Sequence, residues 1–246
     1  MGAGGLVMVD GPAGVGKTAL LAAARAAAAE AGLLVLRARG AELEQEFGYG
    51  VVRQLFEDVA RAELFTGAAR FAAPLLGLEL DGAAAPEDPF AARHALYWLT
   101  ANLAAERPLA LVVDDAHWAD AASLGVLAHI ANRAAGLPVA LIAASRVEQA
   151  RPPLDALRAQ AETMLHVAPL GLEAATAVLR AVAPAADDAL CRACHAATGG
   201  NPFLLGELVR SLLDGAVPAE RVGEQSPERV TREIAARLAR LPPDAR

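Results

Sequence analysis

The 246-residue sequence predicts an α/β domain on a mostly parallel sheet, followed by a smaller all-helical part. Three observations carry that expectation. Short apolar, partly β-branched runs recur through the first two thirds of the chain, separated by stretches of helical spacing. A glycine-rich loop joins the first run directly to a helix, and after about Pro169 the strand pattern ceases while helices continue. Alternating strands and helices need crossover connections, which favour parallel neighbours and right-handed units.

Taken in order, residues 6–9 read as a buried strand that stops at Asp10, ahead of GPAGVGKT, and residues 20–31 as a helix. A second strand is expected at 33–38, helices at 51–64 and 90–106 with Pro108 closing the latter, and a third strand at 109–114. Asp120 is the expected N-cap of a helix over 121–134, which stops at Gly136 and Pro138. Strands at 139–145 and, with a weaker pattern, 164–168 complete the sheet. Helices are then expected at 173–182, 188–197, 202–213 and 228–241, with 215–227 as the flexible stretch. The predicted domains are therefore a core at 1–168 and a helical lid-type domain at 169–246. The closing LPPDAR carries no terminal cap, and the chain is expected to be part of a longer protein.

Composition excludes several classes. The chain is 55% hydrophobic, yet 62 residues are alanine, a helix former as much as a core filler. Arg25, Arg37, His129, Arg133 and Pro138 interrupt each apolar run before the roughly 18 residues of a spanning helix, so no membrane partner is expected. There is no basic segment followed by an apolar leader, and only two cysteines occur, which argues for a reducing cytoplasm and against a disulfide framework. A formal net charge of −7 argues against direct nucleic-acid binding by this segment.

The chemistry concentrates in two places. Gly11, Gly16, Lys17 and Thr18 have the spacing GxxxxGK[ST] between a strand and a helix, the context that a phosphate-cradling loop requires. Glycines let the backbone turn successive amides inward. The residues expected to touch nucleotide are Gly11, Pro12, Ala13, Gly14, Val15, Gly16, Lys17, Thr18 and Ala19. Lys17, the only lysine in the chain, would add a full positive charge for the β and γ phosphates, and the Thr18 hydroxyl a ligand for Mg²⁺. Downstream, LALVVDDAHWAD places Asp114 and Asp115 at a strand's carboxyl end. Asp114 is assigned to the metal and Asp115 to orienting or deprotonating the attacking water. Asp115 is one methylene shorter than a glutamate, so slow hydrolysis is expected. His117 and Trp118 either help to position this site or pack the indole over the strand end.

Four stretches, GPAGVGKTALL, LRARGAELEQEFGYGVVRQLFE, LVVDDAHWADAASL and ATGGNPFLLGEL, carry a resemblance that spans residues 11 to about 210. The sequence resembles the nucleotide-binding module of the large ATP-binding LuxR-type, maltose-regulator-like transcriptional regulators. These are signal-transduction ATPases with numerous domains, within the AAA-like P-loop ATPases. The resemblance implies a sheet ordered 5-1-4-3-2, with Ser145 and Arg146 facing the γ phosphate and Arg146 as a candidate catalytic sensor; a plain surface arginine is the alternative. It also implies a glycine-x-proline element against adenine, matched by Gly200, Asn201 and Pro202, although GGNP also reads as a helix stop and restart. An acidic box and a helix usually precede the first strand in that family, whereas here the strand starts five residues after Met1. Winged-helix, repeat and DNA-reading parts are expected elsewhere in a full regulator.

Two further patterns point elsewhere. CRACH, from Cys191 to His195, spells a c-type haem attachment pattern but lies inside a helical stretch, and two cysteines with one histidine fall short of a zinc site. VTREIAARLARL resembles the first helix of a helix-turn-helix, but no recognition helix follows. The reading is a Mg-ATP-binding, weakly hydrolysing regulatory module, with ATP between core and helical domain and other regulator domains or a second copy as partners. The rivals are a P-loop kinase acting on a small molecule and a nucleotide-independent interaction domain.

Overall fold

Segments apolar on both faces belong in the middle of a parallel sheet, and those with one polar face at its edges. The computed structural model describes residues 4–147 and 151–214, together with Val222 and Pro227. Its strands are β1 (Gly5–Asp10), β2 (Leu34–Arg39), β3 (Leu109–Asp114), β4 (Val139–Ser145) and β5 (Thr163–His166). They pair in the order β2-β3-β4-β1-β5, every pair parallel. This is the 5-1-4-3-2 order implied by the resemblance, read from the other edge, and it is the core of a P-loop NTPase-like fold. Central β3 buries Leu109 to Val113, whereas edge strand β2 exposes Arg37 and Arg39 and edge strand β5 exposes all four of its residues. The register sets Asp10 beside Ser145 and Arg39 beside Asp114. The carboxyl ends of four strands thus converge on one edge, where open α/β sheets place ligands.

The chain divides into two units, one of Met1–Gly11 with Lys17–His166 and one of Pro12–Gly16 with Val167–Arg246. The first unit holds helices α1 (Lys17–Glu30), α2 (Gly50–Phe56), α3 (Pro89–Glu106), α4 (Ala121–Ala131) and α5 (Pro152–Arg158). Alanine-rich α1 starts where the loop ends and buries Lys17 and Leu21. Helix α3 opens on Pro89, with Asp88 capping the amides of Phe90 and Ala91 at 3.2 and 3.1 Å. It sends Leu96, Leu99 and Leu103 into the core beside Phe56 and Leu64.

Three elements depart from expectation. The helix expected at 51–64 stops at Phe56, and a single 3₁₀ turn follows at Ala62–Leu64. Arg61 between them is extended, which lets Leu64 and Phe65 both reach the core while Asn102 Nδ2 of α3 donates to the Leu64 carbonyl at 2.7 Å. The helix at 121–134 ends at Ala131 and gives way to a 3₁₀ turn at Ala134–Gly136. Helix α5 was not anticipated, although Pro152 and Pro153 occupy its first turn and Leu154 and Leu157 are buried three residues apart.

The second unit holds α6 (Leu172–Val182), α7 (Asp188–Thr198) and α8 (Pro202–Leu213), packed through Ala175, Leu179, Cys191, Cys194 and Leu205. The helix expected at 228–241 and most of the 215–227 stretch lie outside the described residues.

Candidate functional site

The loop after β1 is built by backbone conformation. Gly14 and Gly16 have φ of +74° and +102°, and a Cβ on Gly14 would lie 2.9 Å from both Asn201 Oδ1 and Phe203 Cβ, so that position has room for hydrogen alone. Lys17 is buried, and its ammonium donates to the Gly11 carbonyl at 2.7 Å, which fixes the charge at the end of β1. Thr18, one residue further into α1, donates its hydroxyl to Asp114 Oδ2 at 2.7 Å. Loop threonine and strand-end carboxylate therefore meet at one point.

Asp114 Oδ1 accepts the amide of Asp115 at 2.9 Å, so both carboxylate oxygens are oriented. Asp115 itself is left-handed, with φ of +48°, which a short polar side chain tolerates. Gly40 makes room for that turn: its amide donates to the Asp114 carbonyl at 2.9 Å, and a Cβ on it would lie 2.4 Å from the Asp115 carbonyl oxygen. The Asp115 carboxylate is held by Arg39, whose Nε and Nη2 both donate to Oδ2, at 3.0 and 2.9 Å. Sequence reasoning missed Arg39 and Gly40, because nothing local marks two residues at the end of β2 as partners of a turn that lies 76 positions beyond Arg39.

His117 is wholly buried in the 3₁₀ turn Ala116–His117–Trp118, its Nε2 3.9 Å from Asp115 Oδ1 and neither ring nitrogen hydrogen-bonded. Burial pushes its pKa down to about 4; Asp115 opposes the shift, and the charges of Arg146 and Lys17 add to it, so the imidazole is neutral at pH 7. The half-buried Trp118 ring packs against it at 5.0 Å between centroids. Asp120 caps α4 through the Ser123 amide at 2.8 Å and also accepts the Tyr49 amide at 2.9 Å, tying the start of α2 to the same turn.

Beside them lies a buried polar triplet that the sequence did not announce. Ser145 donates its hydroxyl to Asp10, Arg158 Nη2 donates to Ser145 Oγ at 2.9 Å, and Arg158 Nε stands 3.6 Å from Asp10 Oδ2. The Ser145 hydroxyl is thus committed to Asp10. Arg146 follows it half-buried, and its backbone carbonyl receives Arg158 Nη2 at 2.9 Å.

In the second unit GGNP both stops and restarts a helix: Gly199 and Gly200 have φ of +58° and +72°, and Asn201 caps α8 through the amides of Phe203 and Leu204 at 3.0 and 3.3 Å. Pro202 occupies the first turn of α8. The loop turn is gripped from here. Asn201 Nδ2 donates to the Ala13 carbonyl at 2.9 Å and the Phe203 amide to the Gly14 carbonyl at 3.2 Å. Cys191 and Cys194 are free and buried, and burial pushes the Cys194 thiol up to about 11, which keeps it protonated.

Chemically, the assembled groups are one ammonium, one hydroxyl–carboxylate pair and a second carboxylate next to it. Among the described residues no three His, Cys, Asp or Glu side chains are grouped to hold a metal. The Thr18 hydroxyl and the Asp114 carboxylate could hold Mg²⁺, an ion that is bound through one or two protein oxygens and otherwise keeps phosphate oxygens and water. No helix among the described residues is long and apolar enough to cross a membrane.

The family model for the AAA ATPase domain matches residues 1–142, more than half of the chain, and the chain belongs to that family. No curated protein matches. Among solved structures, the chain is similar to one in an Escherichia coli HORMA–CdnC–Trip13 complex, with TM-score 0.54 and 15% identity over 90% of this chain and 73% of that one. It is similar to a Signal Transduction ATPase with Numerous Domains (STAND) protein with a tetratricopeptide repeat sensor from Pyrococcus horikoshii, with TM-score 0.54 and 16% identity over 85% of this chain and 28% of that one. The third is the Aeropyrum pernix ORC1 protein in complex with DNA, with TM-score 0.50 and 20% identity over 94% of this chain and 59% of that one. At these identities the likeness shows the fold.

Proposed function

We propose that this AAA ATPase domain is a Mg-ATP-binding, slowly hydrolysing switch module of a LuxR-type transcriptional regulator. The observation that carries the reading is the 2.7 Å hydrogen bond from Thr18 to Asp114, because Mg²⁺ on a triphosphate needs a loop hydroxyl and a strand-end carboxylate at one point. Magnesium supplies neutralisation of the β and γ phosphates. The chain's own groups do the rest. Amides from Gly11 to Ala19 cradle the phosphates and Lys17 adds its charge; Asp115 orients the attacking water; Arg146 reads the γ phosphate; Pro202 lies against adenine. Hydrolysis is slow because Asp115 is short and one of its oxygens already accepts two bonds from Arg39.

Switching follows from where the loop turn is held. Pro12–Gly16 belongs to the second unit, and Asn201 and Phe203 bond its carbonyls, so phosphate bound to the loop amides acts on residues of that unit directly. The partners are ATP and ADP, further domains of a longer cytoplasmic regulator, and a second copy of the chain. Gentle purification followed by chromatography of any released nucleotide, with steady-state turnover measured on the same sample, tests the reading. Bound ATP or ADP and turnover below the enzyme range of about 1–1,000 per second are expected. Turnover inside that range, or thermal unfolding that is identical with ATP, ADP and no nucleotide, would overturn the switch.

A further inference from the structure

The edge of the sheet carries a second polar feature that adjoins the nucleotide site and shares Thr18 and Asp114 with it. A cleft of about 280 Å³ lies in the first unit, with Arg25 of α1 and Arg37 and Arg39 of β2 among its lining residues and Thr18 and Asp114 at one end. The lining follows from periodicity. Residues 37 and 39 are two apart on a strand and share a face, and the register places them beside Val112 and Asp114. On α1, Thr18, Leu21 and Arg25 recur at intervals of three and four, which stacks them on one side. Arg25 lies seven residues past Thr18, about 10 Å along the helix axis. That end of the cleft is well removed from phosphates seated on the loop at the start of α1.

Charge makes the cleft unusual for this protein. Three arginines face a single lining carboxylate, Asp114, in a chain whose formal net charge is −7. Arg25 and Arg37 have no ion pair or hydrogen bond among the described residues, while Arg39 spends Nε and Nη2 on one oxygen of Asp115. Planar guanidinium forks match carboxylate and phosphate groups in two-point contacts. The volume falls just under the roughly 300–1,000 Å³ of drug-sized pockets, which restricts an occupant to a small metabolite.

We infer that this cleft binds a small ligand bearing two oxyanion groups, phosphate or carboxylate, held by Arg25 and Arg37 at one end and Arg39 at the other, and that the ligand speeds hydrolysis by drawing Arg39 off Asp115. The binding half stands on the cleft alone; the effector half rests on the role of Asp115 proposed above.

Titration calorimetry on the full chain with saturating Mg-ADP, which fills the phosphate loop, tests binding. The probes are 3-phosphoglycerate, which carries a phosphate and a carboxylate, and citrate, which carries carboxylates only. At least one is expected to bind, more weakly as salt rises, and the one that binds identifies the oxyanion chemistry. Arg25→Gln/Arg37→Gln, which keeps the side-chain stems, should weaken binding at least tenfold. Lys17→Ala should weaken nucleotide binding but leave the anion's affinity unchanged. No binding by either probe, or equal binding by the double variant, overturns the site. The bound anion should raise turnover severalfold in the wild type and leave the double variant unaffected, and unchanged wild-type turnover overturns the effector role. Anion binding without any nucleotide binding would overturn the ATPase reading and leave the cleft standing.

Discussion

Thr18 Oγ1 donates to Asp114 Oδ2 at 2.7 Å, joining residues 96 positions apart. The other Asp114 oxygen is taken by the Asp115 amide, so the carboxylate is fixed from two sides. Asp114→Asn keeps the shape but removes the charge that favours Mg²⁺. ATP affinity should then lose its dependence on Mg²⁺, while affinity in EDTA stays close to wild type. Calorimetry with and without the ion checks this, and equal Mg²⁺ dependence in both proteins refutes the metal assignment.

Lys17→Ala removes the ammonium that donates to the Gly11 carbonyl. Charge-assisted hydrogen bonds are worth about 1.5–3 kcal/mol, or roughly tenfold to a hundredfold in affinity. A weakening of Mg-ATP binding in that range is expected, and identical affinities would remove the phosphate-loop assignment.

How much of this was legible depends on distance along the chain. The sheet was readable because each strand is a short apolar run ended by a turn residue or an acid, as at Asp10 and Asp114, and because helical spacing between runs forces parallel pairing. The loop was readable because its chemistry is contiguous. What escaped is pairwise and remote: Arg39 on Asp115, Arg158 on Ser145, Asn201 on Ala13. A guanidinium at a strand end and an asparagine at a helix start look the same in sequence whether they face water or a site. Helix α5 was a different kind of miss, since two prolines at its first turn signal a helix start as well as a loop.

Asn201 does two jobs that substitution can separate. Asn201→Ala loses the α8 cap, about 1 kcal/mol, which for a domain of this size lowers Tm by roughly 2–4 °C. Asn201→Asp still accepts the Phe203 and Leu204 amides but cannot donate to the Ala13 carbonyl. It should keep Tm near wild type and weaken nucleotide binding. Calorimetry paired with thermal unfolding distinguishes the two, and an Asn201→Asp protein that binds ATP normally would show that the grip on the loop turn does not matter to the ligand.

Acid should destabilise the fold through two buried histidines. Burial lowers both His117 and His129 to about 4, with Arg133 the next cause at His129. Each is neutral in the fold but protonates near 6.5 when unfolded, so between those values the unfolded chain takes up more protons. Their stabilisation is complete above pH 6.5 and is lost as pH falls towards 4, on the order of a few kcal/mol in total. Urea midpoints at pH 7.5 and 5.5 should fall in that order, and His117→Gln/His129→Gln should flatten the difference. An unchanged slope in the double variant would place the acid sensitivity elsewhere.

The last prediction separates orienting the water from binding the nucleotide. Asp115 does not touch the Thr18–Asp114 pair through its side chain; its carboxylate faces Arg39 and stands 3.9 Å from buried, neutral His117. Asp115→Asn keeps the size and a carbonyl oxygen for Arg39 but cannot take a proton from water, so hydrolysis should fall by the roughly 10²–10⁴-fold typical of a lost general base while ATP stays bound. Arg39→Ala acts in the opposite sense. It frees the oxygen that now accepts two N–H bonds, and turnover should rise rather than fall. Single-turnover assays with labelled ATP, run beside equilibrium binding, read both effects. If Asp115→Asn hydrolyses at the wild-type rate, the water is oriented by another group, and if Arg39→Ala is slower than wild type, Arg39 positions the carboxylate for catalysis instead of restraining it.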